Sequence, residues 1–277
     1  MRSALNWLSI AGLLFIFTSC SDDDQYKNPF TEKVYVTAQG FDQVNILTVT
    51  EEFVIDDQEI VPFNYIENMP DHPHFVEIDE ENGVWFTTVI NSGYVVMVDI
   101  ETNETIDSVA VGDSPALMAH HSGSRKLYVS RMMPMGEMGS NSNVIQILNY
   151  TADQLVIEGE YDLPSPSPHG IDISEDGRFL FIASTTTDWI FKIDTETHEI
   201  SELNIGGGNS FEFEINYLKP IQVRLMNNVL FVSCSAKLFY NQTINQNEQI
   251  PGKIIAINSE NFEFLNEYSF EWLSSPW

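Results

Sequence analysis

Basic residues are scarce in this chain. Lysine and arginine total 12 against 41 acidic residues, giving a formal charge of −29 over 277 residues. Nucleic acids and anionic lipids are held by cations that neutralise phosphate, so this balance excludes them as partners. Cysteine is scarcer still. Two cysteines cannot build a disulfide framework. Cys234, inside the apolar run "VLFVSCS", reads as a small buried hydrophobe. Helical periodicity is missing after the first twenty residues. Also missing are a G-x-S-x-G nucleophile elbow, an H-E-x-x-H zinc helix and a C-x-x-C-H haem site, which removes the common hydrolase, metalloprotease and cytochrome signatures. "GGGNS" at 206–210 lacks the strand-to-helix setting of a phosphate loop.

What is present begins with "MRSALNWLSIAGLLFIFTSC": one cation, an apolar run too short for a comfortable membrane span, small residues, then Cys20. These features resemble the lipobox of bacterial lipoproteins, with Phe17 where leucine is usual, and imply cleavage before Cys20 and its lipidation. The following "SDDD" resembles the surface-export tag of Bacteroidetes lipoproteins. The resemblance implies a signal peptide at 1–19, a lipidated cysteine and acidic tether at 20–32, and anchoring to the outer membrane with display at the cell surface.

Beyond residue 33 the chain repeats itself. "KVYVTAQ", "GVWFTTV", "KLYVSRM", "RFLFIAS" and "NVLFVSC" match one another, and each precedes a second apolar run ("VNILTV", "VVMVDI", "VIQILN", "IFKIDT", "KIIAIN") and a further extended piece. Four copies open on an additional strand led by Pro73, Pro115, Pro168 and Pro220, at spacings of 42, 53 and 52 residues. Each unit therefore holds four short strands, A to D. Runs apolar on both faces fit strands covered on both sides. Four-stranded units at this period predict an all-β fold, a β-propeller over residues 33–277. About five blades are visible. The first copy lacks strand A, and "SSPW" with Pro276 resembles the start of another, so the expectation is a fragment of a six- to eight-bladed ring. A true five-bladed ring is the alternative.

"KVYVTAQGFDQVNIL" and "FLFIASTTTDWIFKIDTETHEI" resemble the YVTN-type (YncE-like) propeller repeat. Ala38, Thr88, Arg131, Ser184 and Cys234 stand where that motif has asparagine. The resemblance implies the fold and leaves the ligand open.

Strands of a blade run up and down, so D-to-A and B-to-C connections share one face of the disc, here called the top. All four long connections fall there: those around "DDQEIVPFNYIENMPDH", "RMMPMGEMGSNSN", "NIGGGNSFEFEINYLK" and "CSAKLFYNQTINQNEQIPG". Loops on a rigid scaffold are where binding concentrates. The expected function is a binding module that takes a protein, peptide or glycan on this face. Candidate contacts are His74 and His169, which follow the strand A prolines, Arg131 and Arg224 for an anion, and Phe239 and Tyr240 as an aromatic platform. Asp172, Asp176 and Asp194 read as turn formers.

The alternative is an enzyme or redox protein: a lactonase-like hydrolase, or a copper site built from His72, His74, His169, Met132 and Met135 at the channel mouth. The plainer role for a Pro-His strand opener is a hydrogen bond to a neighbouring blade's backbone. No motif demands a cofactor; copper or calcium is what the alternative admits.

Overall fold

In the computed structural model the described residues are 31–51, 54–67, 69–112, 114–132, 143–206, 218–235, 237–241 and 246–270. They form five antiparallel blades. Blade 1 has three strands, β1 (Thr31–Ala38), β2 (Gln43–Thr50) and β3 (Ile55–Pro62). Blade 2 has β4 (Pro73–Asp79), β5 (Val84–Val89), β6 (Tyr94–Asp99) and β7 (Thr105–Ala110). Blade 3 has β8 (Pro115–His121), β9 (Lys126–Arg131), β10 (Val144–Tyr150) and β11 (Leu155–Asp162). Blade 4 has β12 (Pro168–Ile173), β13 (Phe179–Ser184), β14 (Trp189–Asp194) and β15 (Ile200–Asn204). Blade 5 has β16 (Pro220–Met226), β17 (Val229–Cys234), β20 (Lys253–Asn258) and β21 (Glu263–Ser269). Between β17 and β20 lies a separate hairpin, β18 (Lys237–Asn241) with β19 (Gln246–Ile250). The four-strand unit and the missing strand A of the first copy are as the repeats predict; the long connection expected around "DDQEIVPFNYIENMPDH" is shorter, because Ile55–Pro62 form β3.

The sequence explains the strand openings. Proline lacks an N–H and tolerates only a strand's first residue, an edge or a bulge. Each strand A begins on its proline, and in each the pairing register slips immediately afterwards: Pro73/Phe75, Pro115/Met118, Pro168/Ile171 and Pro220/Gln222.

The period of two then divides side chains between junctions. In β6, Val96 and Val98 enter the core shared with blade 1, whereas Val95 and Met97 enter the core shared with blade 3. Likewise, in β13 Leu180 and Ile182 face blade 3, and Phe181 and Ala183 face blade 5. Each junction holds one apolar cluster. This is why the middle strands are apolar on both faces. Outer strands are wet instead: all of β21 is exposed and carries Glu263 and Glu267, charges that discourage edge-to-edge pairing.

The innermost strands pack in sequence, β1 on β4, β4 on β8, β8 on β12 and β12 on β16. A-to-B connections at 80–83, 122–125, 174–178 and 227–228 are tight turns on one face. The connections at 63–72, 132–143, 205–219 and 235–252 all emerge on the other.

Candidate functional site

The top end of the inner strands is organised by one backbone acceptor, the carbonyl of the residue after the strand A proline. Thr37 of β1 donates its hydroxyl to the His74 carbonyl at 3.2 Å, Thr88 of β5 to that of Ala116 at 2.7 Å, and Ser130 of β9 to that of His169 at 2.7 Å. Blade 4 has Ala183 near the end of β13, which has no hydroxyl to give. There the ring of His169 takes over: its Nδ1–H donates to the Ile221 carbonyl at 2.8 Å. Gly170 permits the close approach, since a Cβ there would lie 2.7 Å from Gln222 Cα. His169 therefore performs the structural role expected of a Pro-His opener.

His169 also meets His74. Their rings stand edge to face with centroids 5.9 Å apart, from inner strands of blades 2 and 4. His74 receives a hydrogen bond on Nδ1 from the Gln39 amide. Burial pulls the His74 pKa below the usual histidine range. Burial pulls that of His169 to about 4, against the Ile221 hydrogen bond and helped by His74 and Lys219. Both imidazoles are neutral at pH 7.

The remaining proposed ligands are not gathered here. His72 sits in the 63–72 connection with φ 59, its backbone N–H given to Asp42, and makes no ring contact with the pair. Met132 packs against the apolar cluster between blades 3 and 4. Met135 and Cys20 lie outside the described residues. Among the described residues no group of three His, Cys, Asp or Glu is placed to hold a metal ion.

Lower in the channel is a network not anticipated from sequence. His120 of β8 donates from Nδ1 to Glu77 of β4 at 2.7 Å and approaches Asp79 at 4.0 Å. Tyr150 donates its hydroxyl to Asp79 at 2.5 Å, and Asn82 donates its side-chain amide N–H to the same carboxylate at 2.6 Å. Burial opposes the charge on His120, but the Glu77 hydrogen bond and the carboxylates around it prevail and raise its pKa. Burial likewise opposes charge on Asp79, and its donors Tyr150, Asn82 and Ser122 together with His120 bring its pKa down. The available signal was two acids in the inner strand "PHFVEID" and a histidine in "PALMAHH".

Arg224 and Asp172 need correction. Arg224 pairs with Phe231 in the lower half of β16, towards the tight-turn face, not the loop-rich one. Its guanidinium is 3.6 Å from Asp172. Both line a polar cleft of about 590 Å³ with Glu175, Asn227 and Asn228. Asp172 is an inner-strand residue, not a turn former. Its Oδ2 accepts from Leu225 N–H at 2.6 Å, and burial raises its pKa against the pull of Arg224. Asp176 and Asp194 do shape turns, accepting from Arg178 N–H and from Glu196 and Thr197 N–H.

Arg131 ends β9 at the loop-rich face, as expected. Its Nε is buried without a hydrogen-bond partner. Phe239 and Tyr240 fall on β18, so the aromatic pair expected on a loop lies within a hairpin.

Comparison with known proteins bears on fold. No family model matches the sequence, and no curated protein does. Solved structures match widely. A chain of hydrazine synthase from Kuenenia stuttgartiensis superposes with a TM-score of 0.55 at 18% identity, covering 74% of this chain and 50% of that one. A chain of a mitotic checkpoint complex gives 0.57 at 12% identity, covering 97% and 77%. The fold is a β-propeller. This propeller spans half the length of the hydrazine synthase chain it matches, and at these identities the likeness concerns architecture alone.

Proposed function

We propose that this chain is a cell-envelope lipoprotein, lipid-anchored at Cys20 to the outer membrane and exposed at the surface, whose YVTN-type propeller holds a protein, peptide or glycan on its loop-rich face. One observation carries the reading: the long connections at 63–72, 132–143, 205–219 and 235–252 all leave one face, while the described A-to-B connections are tight turns. A stiff stack of blades presenting variable loops on one side is the usual arrangement for recognition. The charge of −29 directs it away from nucleic acid and anionic membrane surfaces.

The test has two parts. Labelled fatty acid should enter the full-length protein in cells and be lost in Cys20→Ala, and protease added to intact cells should cleave the wild type. The purified protein is then screened against envelope peptides and glycans. Replacing residues 236–251 by a short Gly-Ser link should remove binding, and Arg224→Ala on the opposite face should not. Unlabelled protein sinks the anchor. A ligand indifferent to every loop replacement sinks the binding face.

A second reading, a copper protein, draws on the His74–His169 pair. Copper found in stoichiometric amount by elemental analysis of the full chain, and lost in His74→Ala with His169→Ala, would favour it.

A further inference from the structure

We propose that the side of blade 5 turned away from blade 4 is a docking face for a further blade of this same chain, whose inner strand opens at Pro276 and presents the Trp277 carbonyl to the Ser233 hydroxyl. Residues 271–277 lie outside the described residues. The face is separate from the loop-rich one, and the inference stands apart from the binding reading above.

Two positions of strand B carry it. Three residues before its end, every strand B has an aromatic: Tyr35, Phe86, Tyr128, Phe181 and Phe231. In the first four blades this ring enters the apolar cluster shared with the next blade along. Phe86, Tyr128 and Phe181 are buried there, whereas Phe231 is 38% exposed. One residue before its end, strand B of blades 1 to 3 has Thr37, Thr88 and Ser130, whose hydroxyls reach the carbonyl after the next blade's proline. Ser233 holds the same place, paired with Gln222 and Ile254, and its Oγ is buried without a hydrogen-bond partner. Buried polar atoms are ordinarily satisfied. The donor is in position, and the acceptor its counterparts use is the one element lacking.

The surface around it has the same character. Register sets Phe231, Ala256 and Asn266 in one row of this side and Ser233, Ile254 and Tyr268 in the next. Tyr268 is exposed, and Ile254 and Ala256 are partly so. The middle strands of blade 4 bury both faces; β17 and β20 bury only alternate residues, those turned to blade 4. Apolar residues on both faces of a middle strand mark a strand covered on both sides.

The geometry also selects the occupant. It must bring a proline-led inner strand with a free carbonyl after the proline. In a second copy of the described residues those carbonyls are taken: His74 by Thr37, Ala116 by Thr88, His169 by Ser130 and Ile221 by the His169 ring. Blade 1, which would meet blade 5 in a head-to-tail pair, has no strand A to offer. The charge of −29 also sets copies against each other. Pro276 is the next proline opener in the repeat, and Trp277 is the residue after it.

The experiment labels single cysteines with a maleimide in the full-length product of the gene, in mild detergent, with wild type as background. Phe231→Cys and the nearly isosteric Ala256→Cys report on the face, and Val156→Cys, on the exposed outer strand of blade 3, is the open control. The two face positions should label at least about tenfold more slowly than the control, at low and high protein concentration alike, since the reagent must wait for local opening. Adding Ser233→Ala to Ala256→Cys should speed labelling about two- to tenfold, the loss of one net hydrogen bond. Ser233→Ala alone should melt below wild type; on an uncovered face it would remove an orphaned hydroxyl and melt no lower. Labelling of both face positions as fast as the control overturns the proposal. So does protection that fades on dilution together with a halving of mass in light scattering, which assigns the face to a second copy. Protection and melting both indifferent to Ser233→Ala overturn the Ser233–Trp277 contact.

Discussion

Acid will loosen the junction between blades 4 and 5, and His169 sets the size of the effect. The residue is 4% exposed, and its ring holds the Ile221 carbonyl through Nδ1–H at 2.8 Å. Burial keeps it neutral down to about pH 4. In the unfolded chain a histidine takes its proton near pH 6.5. Between those values the unfolded state binds a proton that the folded state refuses, so stability rises with pH across the window. The contribution is complete above pH 6.5, falls as pH is lowered, and stops falling below about 4. From pH 7 to pH 4.5 it amounts to about 2–3 kcal/mol. That is a large share of the roughly 5–15 kcal/mol that holds a domain folded. His74 adds to it with the same sign. His120 and Asp172, whose pKa values are raised, oppose it. The assay is therefore a difference: urea unfolding of wild type and His169→Asn at both pH values. Asparagine places an N–H where Nδ1 was and does not titrate. Wild type should lose about 2–3 kcal/mol relative to the variant on acidification. Parallel losses in the two proteins would refute the assignment of the slope to His169.

Further outcomes follow from single contacts. Tyr150→Phe strips a donor from the buried Asp79 and should cost about 1–3 kcal/mol in urea unfolding at pH 7. Gly170→Ala drives a methyl group into the Gln222 backbone and should destabilise by about 1–3 kcal/mol, with faster amide exchange in β12 and β16 as the local sign. Glu77→Gln should bring the His120 pKa down in an NMR titration. The stabilisation that wild type holds below the unfolded pKa of histidine, and loses as pH rises through the raised folded value, should shrink accordingly.

The repeat was legible because packing writes it into the chain. Two-faced apolar runs appear wherever a strand feeds two junctions, as in β6 and β13, and proline marks the one strand position that needs no N–H. The sidedness of the loops followed from connection lengths alone. The side-chain partnerships were not legible. His74 and His169 are 95 positions apart in sequence and meet across an intervening blade, a relation set by the curvature of the inner strands. Arg224 was misplaced because its height depends on register within β16, which the proline start and the slip at Pro220/Gln222 determine together. Asp172 looked like a turn residue because it lies two positions before "SEDG". Only the pairing shows it still inside the strand, bonded to the next blade. Arg131 was assigned to the correct face, but its lack of a partner is a property of burial that no spacing reveals.

The shared acceptor at the inner edge has an evolutionary consequence. Each junction is closed on one side by a main-chain carbonyl, which any amino acid supplies, and on the other by a side chain that has been threonine, threonine, serine or histidine. A duplicated or exchanged blade would arrive with its half of the contact already present, whatever its sequence, and only the donor would need to be found by mutation. Blade number in such a chain can drift by whole units without coordinated change in the neighbours.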